Sequence, residues 1–222
     1  DSSNADNAAI SNHPEGDNGT ANITITGGTI GINGHENGMV FGSSRGDVGA
    51  QNSIYDNVAW VYSTNVVIGT SGQGANHTVP HIKGSVYGGG ENGHVYQNAS
   101  VAIHSGLVGI TDTAIDGGAA YPYRGNVYGA GCGTDKYWVD DDNDEVKDDG
   151  EEHYNPKSGI VNGNTTVLID GGHVVRDVYG AGSMGSVDGS STVTISGNAE
   201  IGADGSGGGY VFAAARGDAA EP

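Results

Sequence analysis

Basic side chains are scarce. Lys and Arg together supply eight of 222 residues against 27 Asp and Glu, a net charge of −19. Nucleic-acid binding draws its affinity from basic groups on phosphates, and anionic membrane surfaces attract proteins the same way, so the charge argues against both partners. Long apolar runs are missing too: there is no stretch of 18 apolar residues, so no bilayer-spanning helix is encoded. Cysteine occurs once, at Cys132, which excludes an internal disulfide and a cysteine-based zinc site. That thiol is read as buried or incidental, with an intermolecular bridge as the alternative. Proline occurs five times and there is no Gly-x-y period, so collagen is excluded. No leader peptide is visible, but Asp1 reads as a trimmed start and carries no information on compartment.

Glycine is what the chain has in excess, 42 of 222 residues, against a usual ~7%. The glycines sit at fixed offsets after short apolar runs. That placement calls for tight corners with positive φ or close backbone approach, and a disordered low-complexity chain would lack the registered runs.

The runs repeat. Val86-Tyr87-Gly88-Gly89-Gly90, Val127-Tyr128-Gly129-Ala130-Gly131 and Val178-Tyr179-Gly180-Ala181-Gly182 are copies of one corner, and Val40-Phe41-Gly42 and Val211-Phe212-Ala213 are looser ones. A second element reads apolar-x-apolar: Ile23-x-Ile25, Val101-x-Ile103, Val167-x-Ile169 and Val193-x-Ile195, with Val66-Val67-Ile68 as a weaker copy. Val86 to Val101 and Val178 to Val193 are both 15 residues, with Val95 and Val187 each nine after the first valine. The third copy keeps Gly159-x-Val161 before Val167, its halves parted by an insertion over 132–158. The return from V-x-I to the next corner varies from 11 residues (Val167 to Val178) to 26 (Val101 to Val127). Fixed strands with variable returns are the pattern of a stacked coil whose turns bury their apolar face only against neighbours. Apolar alternation over short runs bounded by Gly, Asn, Asp and Ser is a strand signal, and no helical period appears.

The fold class predicted is all-β: a parallel β-helix or β-solenoid of about five turns, roughly 25 Å tall at ~4.8 Å per strand. Residues 1–21 read as a polar arm or cap and 22–222 as one repeat domain. The irregular stretch 49–65 is expected to hold an extra strand or a packed loop, because Val58, Trp60 and Tyr62 alternate there. In register, Phe41, Tyr87, Tyr128, Tyr179 and Phe212 stack as an aromatic ladder, either structural or a platform for sugar rings. Both end turns look ordinary and neither shows a clear cap.

Among residues that could carry chemistry, Asp140, Asp142, Asp144, Asp148 and Glu151 fall at positions 1, 3, 5, 9 and 12 of a calcium-loop template. The template's glycine is Glu145, Lys147 stands where an apolar residue is usual, and no helices flank the loop. Calcium is thus one reading and a solvated acidic loop the other. Two Arg-Gly-Asp triplets, Arg45-Gly46-Asp47 and Arg216-Gly217-Asp218, follow a Val-Phe corner at the same offset. They are read as adhesive motifs or as parts of the repeat. Asn18, Asn22, Asn76, Asn98 and Asn164 head Asn-x-Ser/Thr triplets, acceptors for glycans on a surface protein. Enzyme signals are weak. Arg124, Arg176 and Lys83 lie outside any repeating acidic cluster, His77 and His81 have no further metal partner, and Gly88-x-Gly90-x-x-Gly93 belongs to the repeat with no helix after it.

The Val-Tyr-Gly-Gly-Gly-Glu-x-Gly-x-Val and Val-x-Ile-x-Gly-Gly units resemble the Gly-rich repeats of very large secreted surface proteins of gut-type Bacteroidota bacteria, over roughly residues 22–218. The resemblance implies an extracellular, cell-surface β-helical array with adhesive or structural roles, and it carries over no functional residue. The expected function is a non-enzymatic extracellular structural or adhesive module whose copies stack head to tail into a filament, with other copies, glycans or a host surface as partners. The alternative is a carbohydrate-active or glycan-binding β-helix with a cleft lined by Tyr121, Tyr123 and Tyr154.

Overall fold

A computed structural model describes residues 19–32, 37–46, 59–72, 79–110, 124–140, 143–144, 146–148, 150–203 and 208–217. The chain is an all-β parallel solenoid. Three five-stranded parallel sheets run the length of the rod, each taking one strand from every turn. The first holds Thr20–Ile25, Ser63–Ile68, Ala99–Ile103, Thr165–Ile169 and Ser191–Ile195. The second holds the short strands Thr29–Ile30, His81–Ile82, Leu107–Val108, His173–Val174 and Glu200–Ile201. The third is the valine–aromatic corner: Val40–Phe41, Val86–Tyr87, Val127–Tyr128, Val178–Tyr179 and Val211–Phe212. A fourth ladder joins Trp60–Val61 to His94–Val95 and runs on through single bridges at Val161 and Val187.

The register has no slip, so equivalent residues lie on top of one another. Ile23, Val66, Val101, Val167 and Val193 form one column and Ile25, Ile68, Ile103, Ile169 and Ile195 the next. The valines of the third sheet form another, from Val40 to Val211. These columns meet Ile30, Ile82, Val108, Val174 and Ile201 of the second sheet in one continuous core. A period-two strand turned by one residue would send each column to solvent, so burial fixes the register.

The second sheet and the first strand of the fourth ladder are what the sequence pattern does not mark. A two-residue strand with one inward side chain has no period to detect. Within the stretch 49–65 expected to hold an extra strand or a packed loop, Trp60–Val61 is the fourth-ladder strand of the first turn, and residues 49–58, Val58 among them, lie outside the described residues. The coil also starts earlier than the expected arm boundary, at Thr20, and residues 1–18 lie outside the described residues.

Glycine has two distinct jobs. Two residues after each corner valine, a Cβ at Gly42, Gly88, Gly129 or Gly180 would stand closer than 3.0 Å to the carbonyl oxygen of the next turn. Close backbone approach alone therefore requires glycine there. The second job is at loop necks. Gly31 with Gly38, Gly109 with Gly125 and Gly202 with Gly209 all have positive φ and face each other closely across the mouth of the return from the second sheet to the third.

Two predictions follow from packing. Gly129→Ala should lose about 1–3 kcal/mol, because the added methyl overpacks against the Gly180 carbonyl. Ile103→Ala, fully buried at mid-rod, should lose about 2–5 kcal/mol, and Ile195→Ala, at the end of the same column and 39% exposed, less than half as much. Urea unfolding of the three variants checks both.

Candidate functional site

The five corner aromatics form a single stack. Ring centroids are 4.9 Å apart for Phe41–Tyr87, 4.5 Å for Tyr87–Tyr128, 5.0 Å for Tyr128–Tyr179 and 5.0 Å for Tyr179–Phe212, with planes within 20° throughout. The spacing is the strand spacing of the sheet itself, so the backbone sets the rings in stacking distance. Tyr87 and Tyr128 are fully buried and Tyr179 nearly so, packed with Cys132, Met39 and Phe41. The three tyrosines in the middle of the stack offer no face to a sugar ring, and Phe212 at its end is 43% exposed.

Burial has an electrostatic consequence. Among the described residues the Tyr87 and Tyr128 hydroxyls meet no partner at hydrogen-bond geometry, although Arg216 and Ser183 lie near Tyr128, while Tyr179 donates to Asp177 at 3.4 Å. Desolvation raises the pKa of Tyr87 well above the usual tyrosine value and raises Tyr128 despite the pull of the Arg216 charge. Tyr179 is pushed up to about 12 by burial and then by the Asp177 carboxylate. Burial also raises the Cys132 thiol, so it is a poor nucleophile.

The acidic insertion projects as an antiparallel hairpin, Lys136–Trp138 against Glu152–Tyr154. Its neck is tied to the second turn by Asn92, whose Oδ1 accepts from Asp135 N at 3.1 Å and from Ser158 Oγ at 2.8 Å. His94 adds a bond between its Nδ1 and Lys157 O at 2.6 Å. Glu151 is buried, and its Oε2 accepts from Trp138 Nε1 at 2.9 Å and from Asp148 N at 2.8 Å. Asp140 Oδ1 accepts from Asp144 N at 3.2 Å and Asp144 Oδ1 from Val146 N at 2.7 Å. Asp142 lies outside the described residues. Among the described residues, no three His, Cys, Asp or Glu side chains gather as a metal site. On the far side of the hairpin Glu152 pairs with Lys136 and Lys147 at 3.0 and 2.8 Å.

The two Arg-Gly-Asp triplets occupy the same place in the first and the last turns. Arg45 O accepts from Asn92 N, and Arg216 N and Gly217 N donate to Gly182 O and Ser183 O. The Arg45 side chain reaches Glu91 at 3.6 Å. Asp47 and Asp218 lie outside the described residues, as do Asn18, Asn76, His77, Tyr121 and Tyr123. Tyr154 sits on the hairpin with Lys136 Nζ 4.7 Å from its ring centre, and Arg124 is buried.

Polar residues beside the strands do a job that sequence spacing does not reveal: they tie each turn to the next. His81 Nε2 meets Gly109 O at 2.9 Å and His173 Nε2 meets Gly202 O at 2.6 Å. His104 Nδ1 and Asp170 Oδ1 lie 2.7 Å apart. Asn98 Oδ1 accepts from Asn164 N, and Asn164 Oδ1 from Ser190 N, both at 2.8 Å. A parallel series precedes the corner: Ser85 Oγ accepts from Asn126 N, Asn126 Oδ1 from Asp177 N, and Asp177 Oδ1 from Tyr210 N. Two of the Asn-x-Ser/Thr asparagines are thus rung-to-rung acceptors.

One outward cluster is aromatic. Because Val61 and Val95 point into the core, Trp60, Tyr62 and Tyr96 point the other way, Trp60 and Tyr62 with ring centres 6.3 and 6.2 Å from Tyr96. Trp60 also lies 4.7 Å from the buried His94 ring.

Comparisons with protein-family models, with curated proteins and with solved structures find no match for this chain.

The ladder tyrosines set an alkaline limit. Their pKa values are raised in the folded rod over the unfolded ~10, so their contribution is full below pH ~10 and is lost as pH rises toward 12. Tyrosinate absorbance should show these rings ionising together with unfolding, and Tyr179→Phe should lose less stability than the parent between pH 8 and 11.5. At the hairpin, Glu151→Ala should red-shift Trp138 emission in a Trp60→Phe background, with the rod's melting temperature little changed.

Proposed function

We propose that this chain is a non-enzymatic structural or adhesive module of an extracellular surface protein: a stiff, short rod that spaces and displays loops. One observation supports this above the others. Polar groups that could do chemistry are engaged in holding successive turns together, part-exposed as at His104–Asp170 and buried as at Ser85–Asn126. Each such bond crosses between turns that lie far apart in sequence, so together they stiffen the rod along its axis. The acidic surface, the glycan-acceptor triplets and the repeat resemblance favour an extracellular setting. Arg45-Gly46 and Arg216-Gly217, at matching places near the two ends, are the adhesive candidates.

A second reading, glycan binding without cleavage, draws on the outward Trp60, Tyr62 and Tyr96. Aromatic side chains combine an apolar face with a polar tip, the combination that pyranose rings stack on.

The purified chain should release no unsaturated product and no new reducing ends from uronic-acid or neutral polysaccharides. Turnover that survives repurification would overturn the structural reading. Glycan-array binding lost in Trp60→Ala with Tyr96→Ala, at unchanged melting temperature, would establish the second reading alongside the first.

A further inference from the structure

The rod has a growth problem at its C-terminal end. Parallel sheets end in unpaired N–H and C=O groups that template another strand. The core side chains there are uncovered: Val211 is 47% and Phe212 43% exposed. A second copy offering its first turn, with Val40-Phe41-Gly42 laid on Val211-Phe212-Ala213, would extend every column and generate an open filament. That arrangement is the one expected from the repeat alone.

Two changes in the fifth turn oppose it, both at the corner that is otherwise the most regular part of the repeat. Position two after the corner valine is Gly42, Gly88, Gly129 and Gly180 in the first four turns and Ala213 in the fifth. The register places Ala213 over Gly180, because Tyr179 pairs with Phe212 and Gly180 N donates to Phe212 O at 2.8 Å. A Cβ at each of the four glycines points at the carbonyl oxygen of the residue one turn further on: Gly88, Gly129, Gly180 and Ala213 in order. The Ala213 methyl therefore occupies the place where the carbonyl of a sixth turn would lie. In a head-to-tail contact that carbonyl belongs to Gly42 of the second copy.

The second change is one residue before the valine. Ser85, Asn126 and Asp177 each accept the N–H of the equivalent residue in the following turn. The fifth turn has Tyr210 at this place, 60% exposed. Its only side-chain oxygen is at the far end of a rigid ring, beyond reach of an N–H stacked directly on its backbone. The first turn offers Met39 at the same place, so the joint would lack the side-chain acceptor that every interior joint after the first has.

We infer that the Val211–Ala215 corner is a stop: it bars in-register addition of another turn at this end, whether from a second copy or from any following repeat. The methyl is the steric bar and the missing acceptor at Tyr210 only weakens the joint, so glycine at 213 alone reopens this end. The inference does not depend on the functional reading, since a stop would serve an enzyme as well as a spacer.

The test uses the full chain and two variants. Light scattering across a concentration series and negative-stain microscopy should show the parent as short rods of constant mass. Ala213→Gly, with an unchanged far-ultraviolet spectrum, should self-associate about tenfold or more tightly and give lengthened rods. Adding Phe212→Glu to Ala213→Gly should return the short rods, which places the growth at this end. Filaments of the parent chain overturn the inference, and so does an Ala213→Gly variant as monodisperse as the parent.

Discussion

Every turn of this rod is held at the spacing of a parallel backbone ladder, and that single repeat distance governs which residues the chain can use. In register, each side chain meets its own equivalent a few ångströms above and below. Apolar columns, flat rings and short acceptors benefit from that repetition. Like charges do not: two unit charges about 4 Å apart repel by about 1 kcal/mol even in water, and a column repeats the cost at every joint. The sequence respects this. Among the described residues, the only acidic one within the strands of the three long sheets is Glu200, in the last turn. The others described sit in corners, loops and the hairpin, and Asp170 and Asp177, which do stand over the turn before, meet His104 and Asn126 there and not a second carboxylate. A strongly acidic protein can thus be built on a stacking principle that forbids acidic stacks.

The same distance accounts for the aromatic corner. Centroids at 4.5–5.0 Å are what parallel strands deliver to any ring placed in register, so the stack costs no special backbone geometry. Its hydroxyls are the weak point, since Tyr87 and Tyr128 carry theirs into the interior with no partner at hydrogen-bond geometry among the described residues. Phenylalanine at both ends and tyrosine in the middle is the reverse of what burial alone would choose. We have no physical account of that order.

Much of the fold could be read from the chain because its signals repeat. The V-x-I runs and V-Y-G corners recur at matching offsets, and three copies in register point to a coil without any knowledge of tertiary contacts. The second sheet escaped because Ile82 or Ile201 alone, between polar residues and glycine, looks like any isolated apolar residue. The rung-to-rung staples escaped for a different reason: His104 and Asp170 are 66 residues apart, and only the lengths of the intervening loops decide that they face each other. Ala213 was visible as a looser copy of the corner. Its meaning was not, because the demand for glycine comes from a carbonyl in the next turn. The acidic loop shows the opposite limit. Its spacing matches a calcium template, yet Glu151 is committed to Trp138 and the backbone, a role that spacing along the chain does not encode.

The glycine-paired necks have a bearing on how such a chain can change. At Gly109 and Gly125 the two ends of a return loop are clamped against each other, so the closure distance is set by the rod and not by the loop. Once the ends are fixed, lengthening a loop adds entropy cost only logarithmically, about 0.6 kcal/mol per doubling. The rod therefore separates two kinds of inheritance. Columns, corners and staples are constrained because each residue answers to its neighbours above and below. The length of a segment between the necks is not set by the coil, so a longer or shorter loop can be carried on the same scaffold.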